Sequence, residues 1–286
     1  MFDSKFNNWL KKLAEKSKLF YHIIKFLKMI VKQTIWGRFG IIRMKFQIGR
    51  FLRKIYKYNR FGKIKKYKDL HLGERCFIVA TGPSLTLDDV EKLKGEYTFS
   101  MNSIIQLFPK NEWRPTYYAI QDFFVFKDIQ DELCKMELDN VFYADLVKKY
   151  GTVLDEWIPL PVDYLDHLTA KDFKKYNTSF SEDCSDCVYE GYNIVYTILQ
   201  LAVYMGFKEI YLLGADCNYQ GPIKHFEGKD YGLEVTDNPT ARILFSYEAA
   251  KRYCDKHGIK IYNATRGGML EIFPRVDLDL AVNSKC

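Results

Sequence analysis

The sequence predicts an α/β fold: a Rossmann-like, doubly wound and mostly parallel sheet, with a lid segment and an N-terminal basic amphipathic helical arm. Three observations lead there. From residue 71 onward, short β-branched and aromatic runs alternate with segments of helical period, the pattern of βαβ units. The apolar run Cys76-Phe77-Ile78-Val79-Ala80 breaks abruptly at Thr81-Gly82-Pro83-Ser84 and gives way to a helical pattern. A second unit repeats that geometry: Gly191, a long apolar helix over 192–205 closed by Gly206, a strand over 209–213, then Gly214-Ala215-Asp216.

The first strand ends on a loop whose residue types suit a phosphate. In a parallel sheet the carboxyl end of a strand is where loop backbone and the N–H groups of the next helix meet a nucleotide. Gly82 permits close backbone approach, Pro83 fixes the turn, and the Ser84 hydroxyl can bond an N–H or a phosphate oxygen. A helix over 87–94, a strand over 97–102, a short helix and a strand over 116–121 complete a βαβαβ run. Asn102 and Asp122 stand at the ends of its second and third strands, on the same rim as Thr81, Gly82 and Ser84.

Residues 126–135 read as helix, 140–145 as a fourth strand, 157–163 as an irregular proline-containing stretch and 166–186 as a polar loop. Residues 217–239, rich in Gly, Tyr and charge and bracketed by Pro222 and Pro239, read as a lid. It carries Tyr219, His225 and Tyr231. A helix over 240–256 and a strand over 259–263 close the sheet, and Arg266 in the following Thr265-Arg266-Gly267-Gly268 loop can hold a phosphate or carboxylate, or bond nearby carbonyls.

The chain of 286 residues, 48% hydrophobic, can bury a sizeable core and is not a disordered protein. Its net charge of +7 conceals an asymmetry: residues 1–70 hold 20 Lys/Arg against 3 Asp/Glu, so the remainder is acidic. The division read from this is a basic amphipathic arm, 1–70, and a Rossmann-like domain, 71–286. In the arm, Phe20, Ile23, Ile24, Leu27, Ile30 and Val31 recur at helical spacing between lysines. No uncharged run is long enough to span a bilayer, and the pattern suits a helix lying on an anionic membrane surface. A helical arm packed on the domain is the competing reading. Nucleic acid is disfavoured, since no recognisable binding motif accompanies the basic residues. The seven cysteines and the lack of a secretory leader point to reduced thiols and a cytoplasmic protein, peripherally attached to the inner face of the membrane. Cys184-Ser185-Asp186-Cys187 has zinc-like spacing without a second ligand pair, so no metal is expected there.

Three segments together carry a family resemblance: Ile78-Val79-Ala80-Thr81-Gly82-Pro83-Ser84-Leu85, Met205-Gly206-Phe207-Lys208-Glu209-Ile210-Tyr211-Leu212-Leu213-Gly214-Ala215-Asp216, and Ile261-Tyr262-Asn263-Ala264-Thr265. They resemble the 6-hydroxymethylpterin pyrophosphokinase MptE-like family and are similar to bacterial family-42 sialyltransferases, over roughly residues 70–275. The resemblance implies that Gly82, Pro83 and Ser84 form the phosphate-side loop for an activated donor, that Asn102 is a ligand of its nucleotide or phosphate, and that Asp216 shapes the cleft. It makes Tyr219 a candidate for the first of two lid tyrosines that bond the leaving phosphate, with His225 about where the second would stand. No histidine occupies the position of the sialyltransferase base.

The expectation is a glycosyltransferase that uses a nucleotide-activated sugar, needs no cofactor, and acts on a glycan or lipid-linked acceptor in surface glycan or lipopolysaccharide assembly. Such transfer requires deprotonation of an acceptor hydroxyl and neutralisation of a leaving phosphate; His225 suits the first, Tyr219 or Arg266 the second. One alternative is diphosphate transfer from ATP to a hydroxymethyl group, which requires Mg²⁺; no Walker loop is present, and Asp88-Asp89 read as solvated helix caps. The other is a non-catalytic nucleotide- or glycan-binding module. A homo-oligomer is compatible with each.

Overall fold

The computed structural model of the protein describes residues 21–24, 26, 35–55, 60–173, 176–218 and 239–284. The chain divides into two compact units, Met1–Leu52 and Arg53–Cys286. Helix α1 (Ile35–Ile55) begins in the first and exposes Ile42, Met44, Ile48 and Phe51. Residues 60–70, grouped with the basic arm on charge, lie in the second unit. Their 3-10 segment Arg60–Tyr67 buries Phe61, Ile64 and Tyr67, because every third or fourth side chain of that lysine-rich stretch is apolar.

In chain order the second unit contains β1 (Arg75–Val79), α2 (Leu87–Glu91), β2 (Thr98–Met101), β3 (Tyr117–Ile120), α3 (Phe123–Leu133), β4 (Val141–Ala144), β5 (Ile158–Leu160), β6 (Val162–Asp163) and α4 (Leu165–Phe173). It continues through β7 (Val188–Tyr189), α5 (Ile194–Tyr204), β8 (Glu209–Leu213), α6 (Pro239–Lys256), β9 (Lys260–Asn263) and α7 (Leu278–Asn283). Seven strands form one sheet in the order β5-β4-β3-β2-β1-β8-β9, and β6 pairs with β7. Every pair is parallel.

The strands are buried on both faces, and alternate residues feed two cores. Along β1, Cys76 and Ile78 join α5 and α6, while Phe77 and Val79 join α3 and α7; along β8, Ile210 and Leu212 divide from Tyr211 and Leu213 in the same way. The sheet is therefore doubly wound, as its sequence pattern predicts.

Two stretches differ from their sequence reading. Residues 157–163 are two strands. Pro159 is tolerated because β5 is an edge strand, where a missing N–H leaves no ladder bond unmade. Within 166–186 lies most of α4, whose first turn is fixed by the Asp163 carboxylate accepting from Leu165 N at 2.8 Å; its charged residues masked the helical pattern. The terminal α7, capped by Asp277, was also absent from the sequence reading.

Candidate active site at the carboxyl edge of the sheet

The order of strands reverses direction between β1 and β8, so the crevice beyond their carboxyl ends is the topological switch point, the usual ligand position in such sheets. The Ala80–Ser84 and Gly214–Cys217 loops meet there and bond each other. Gly82 N donates to Gly214 O at 2.9 Å, Ser84 Oγ to Asp216 Oδ2 at 2.9 Å, and Ser84 N to the same oxygen at 3.4 Å. A Cβ on Gly82 would sit 1.9 Å from Asp216 Oδ2 and 2.3 Å from Gly214 O. Glycine is required at this position because one loop is pressed against the other.

The third loop completes the layer. Met269 N donates to Asp216 O at 2.7 Å, and a Cβ on Gly268 would lie 2.6 Å from that same oxygen. Thr265 Oγ1 accepts from Ala215 N at 3.0 Å, while buried Asn263 holds Thr265 N through Oδ1 and donates through Nδ2 to Leu270 O. The Ile261-Tyr262-Asn263-Ala264-Thr265 motif is thus the bracket that fixes Asp216.

Arg266 does not stand open for a phosphate. It grips Asp89 in a two-pronged pair, Nη1 to Oδ1 at 2.7 Å and Nη2 to Oδ2 at 2.5 Å, and Nη2 also donates to Ser84 O at 3.0 Å. Asp89 is no solvated cap. It is 1% exposed, and its Oδ2 accepts from Thr86 N and Thr86 Oγ1 in the capping box of α2. Burial pulls the Asp89 carboxyl upward, and the bonds from Arg266 and Thr86 outweigh it, holding it below the usual carboxylate range. The acid pair read as a surface feature is, at Asp89, the anchor of the loop.

Most N–H groups reserved for a phosphate in the sequence reading are occupied: Gly82, Ser84, Leu85 and Thr86 all donate to protein oxygens. What the crevice offers is side chains. Asn102 follows β2 in the left-handed region, at φ 46°, two residues past the Val79–Ser100 pairing. Tyr118 OH pins its carbonyl at 2.5 Å, and its Oδ1 is buried with no hydrogen-bond partner among the described residues. A buried amide oxygen left unsatisfied in the protein, at a sheet's carboxyl edge, is a hydrogen-bond acceptor that a water or a ligand can satisfy. Thr81 is half-buried and Pro83 exposed beside it. Asp122 is the N-cap of α3, its Oδ1 accepting from Phe124 N and Val125 N at 2.8 and 3.0 Å. Tyr219 and His225, with most of the 217–239 segment, lie outside the described residues.

Sequence reasoning missed a second polar group on this rim. His167 on α4 meets Glu190 after β7, with Nδ1 3.0 Å from Oε2. The bond from Glu190 raises the His167 pKa, and burial opposes it. The Tyr192 ring lies between this pair and Arg242, 5.8 Å from the His167 ring and 5.9 Å from the Arg242 guanidinium, and Tyr164 stands one turn before Leu168, its carbonyl accepting from Leu168 N at 3.0 Å. The pair was invisible because 23 residues separate its members and one lay in a stretch read as loop. Among the described residues no group of three His, Cys, Asp or Glu side chains converges as a metal site, Cys184 and Cys187 are buried thiols, and no helix is long and apolar enough to cross a membrane.

No curated protein matches the chain. Solved structures similar to it include two glycosyltransferases. One is the MAf glycosyltransferase from Magnetospirillum magneticum AMB-1, at 14% identity and TM-score 0.45, covering 77% of this chain and 38% of that one. The other is the sialyltransferase CstII from Campylobacter jejuni, solved with a substrate analogue, cytidine-5′-monophosphate, at 15% identity and TM-score 0.45, covering 72% of this chain and 85% of that one. The chain thus spans well under half the length of the first of these. The family model described as 6-hydroxymethylpterin diphosphokinase MptE-like matches residues 49–222, which take in the β1 loop, Asn102, Asp122, Glu190 and Asp216, and the chain belongs to that MptE-like family.

Proposed function

We propose that the chain is a nucleotide-sugar-dependent glycosyltransferase whose donor nucleotide lies in the β1/β8 crevice. The observation that carries this reading is the buried Asn102 Oδ1 at the carboxyl end of β2, next to the switch point and without a partner among the described residues, an acceptor suited to a ribose hydroxyl or a base amino group. Thr81 and Ser84 supply hydroxyls, and the Gly82 and Pro83 backbone forms the floor. Asp216 and Arg266 act on the donor indirectly, by fixing the loops. Tyr219 and His225 enter the proposal as groups for the leaving phosphate. The acceptor is a glycan or lipid-linked glycan, reached from an anionic membrane surface. Supporting that placement, α1 carries six basic and no acidic residues alongside exposed Ile42, Met44, Ile48 and Phe51.

The family's description as a diphosphokinase favours a second reading, which we take as diphosphate transfer from ATP with Mg²⁺. Magnesium bound through nucleotide phosphates typically takes one or two protein carboxylates. Asp89 is neutralised by Arg266, and among the described residues the carboxylates left on this rim are Asp216, already accepting from Ser84, and Asp122, already capping α3. Each is engaged in fixing a loop or a helix end, and we favour the nucleotide sugar without metal.

A thermal-shift screen separates the readings. Stabilisation by CMP- or UDP-linked sugars without metal is the expected result. Stabilisation by ATP with Mg²⁺ alone would replace transfer of a sugar with transfer of diphosphate, and stabilisation by none of them would favour a non-catalytic module.

A further inference from the structure

The His167–Glu190 pair has the geometry of an oriented base. Glu190 is buried, and its Oε2 accepts from both His167 Nδ1 and the backbone N of Tyr192, at 3.0 and 2.8 Å. A carboxylate held in this way fixes the imidazole tautomer with its proton on Nδ1 and leaves Nε2 as the free acceptor. Among the described residues Nε2 has no hydrogen-bond partner, and the side chain is 43% exposed. The turn that presents Glu190 is strained. Gly191 and Tyr192 both lie at positive φ, 57° and 67°, and for a bulky tyrosine that conformation is costly by about 1–3 kcal/mol unless its surroundings enforce it.

Two further polar atoms at this place have no hydrogen-bond partner among the described residues. Tyr164 OH is buried with no hydrogen bond, in the field of Glu190 and Asp122, and Arg242 Nε is buried with none, its guanidinium 5.9 Å from the centre of the Tyr192 ring. Arg242 lies two residues after Thr240, whose Oγ1 donates to Cys217 O at 3.0 Å next to Asp216. Asp122 ends β3 on the same rim as Asn102. The cluster is thus tied to the crevice by chain neighbours, at Thr240, which bonds Cys217, and at Asp122, whose charge acts on His167. An isolated surface ion pair explains neither the buried orphan hydroxyl nor the strained turn.

We propose that this cluster is the acceptor subsite, in which His167 Nε2 takes the proton of the attacking hydroxyl while Tyr164 OH and Arg242 bond the acceptor's other oxygens. The inference rests on the glycosyltransferase reading. In the step it describes, the acceptor O–H proton passes to Nε2 and the acceptor oxygen bonds the anomeric carbon. The bond from that carbon to the donor phosphate breaks, and its electron pair leaves with the nucleotide. His167 is the catalytic residue, and Glu190 is a positioning residue acting through it. The charged and titratable groups around the imidazole are Glu190, Asp122 and Arg242, with Tyr192 and Tyr164 as neutral phenols and Asp166 preceding it on α4.

The full chain is assayed for turnover of a CMP-linked sugar acid, with water as acceptor, across pH 5–9, alongside CMP binding by calorimetry and ¹⁵N-histidine NMR. Turnover should rise with pH as His167 loses its proton. His167→Gln should lower it by about two to four orders of magnitude and abolish the rising limb, with CMP affinity unchanged. Glu190→Gln should move that limb to lower pH and convert the Nδ1–H tautomer seen by NMR to a mixture. Full turnover in a folded His167→Gln protein that still binds CMP, or a limb that survives there and vanishes in His225→Ala, would overturn the assignment while leaving the donor site intact. Absence of both CMP binding and sugar turnover in the wild type would overturn the transfer reading, and this inference with it.

Discussion

Ser84 Oγ donates to Asp216 Oδ2 at 2.9 Å, joining the loop after β1 to the loop after β8 across the switch point. The two residues are 132 apart in sequence, and each lies at the carboxyl end of a signature segment, Ser84 next to last and Asp216 last. Because the bond reaches a carboxylate, it belongs to the stronger class of hydrogen bond. A double-mutant cycle of Ser84→Ala and Asp216→Asn should show coupling of about 1–2 kcal/mol in urea unfolding. Additive effects would mean that the loops are held together by their backbones alone.

Gly82→Ala should destabilise the fold by about 1–3 kcal/mol, because a methyl group there overlaps Asp216 and the Gly214 carbonyl and forces the loops apart. The midpoint of thermal unfolding checks this. An unchanged midpoint accompanied by loss of nucleotide affinity would instead assign the glycine to ligand approach.

Arg266→Met should cost about 2–3 kcal/mol at pH 7, somewhat less than the roughly 3–5 kcal/mol of a fully buried broken pair, because Arg266 itself is half exposed. The sign of its pH dependence follows from Asp89, whose pKa is depressed in the fold. A depressed carboxyl contributes stability that is present above its unfolded value, about 3.9, and is lost as pH falls through the folded value. The gap between wild type and variant should therefore narrow on acidification below about pH 4. A gap independent of pH would show that Arg266 stabilises through Ser84 O and not through Asp89.

Removal of residues 1–52 should leave a folded protein that no longer floats with anionic liposomes, whereas removal through residue 69 should unfold it. The second cut takes away Phe61, Ile64 and Tyr67, all buried, together with the Tyr67 OH bond to Asn140 Oδ1 at 2.8 Å. Circular dichroism and vesicle flotation of both forms decide it. Retained flotation of the shorter cut would remove α1 and its flanks from any membrane role.

The sheet was legible in the sequence because every main strand is a buried apolar run closed by a turn residue; the reading at 209–213 coincides with β8 residue for residue. The rim was legible as a position, since strand ends are marked by Gly82, Asn102, Asp122 and Asp216. What those residues do there was not. Whether an arginine faces solvent or a buried acid depends on residues 177 positions apart, as at Arg266 and Asp89, and no local pattern records that. The same holds for His167 and Glu190. Residues 157–163 hid two strands because Pro159 reads as a breaker until its edge position is known.

The most direct test of a nucleotide in the β1/β8 crevice is calorimetry of CMP with wild-type protein and Asn102→Gly. Glycine accepts the left-handed backbone at φ 46° without strain, so this variant keeps the fold and deletes only the side chain with the unsatisfied oxygen. Binding to the wild type, weakened by about tenfold or more in Asn102→Gly with an unchanged unfolding midpoint, is the predicted result, a loss of one hydrogen bond's worth of affinity. Equal affinity in the two proteins would contradict the placement of the nucleotide at this rim.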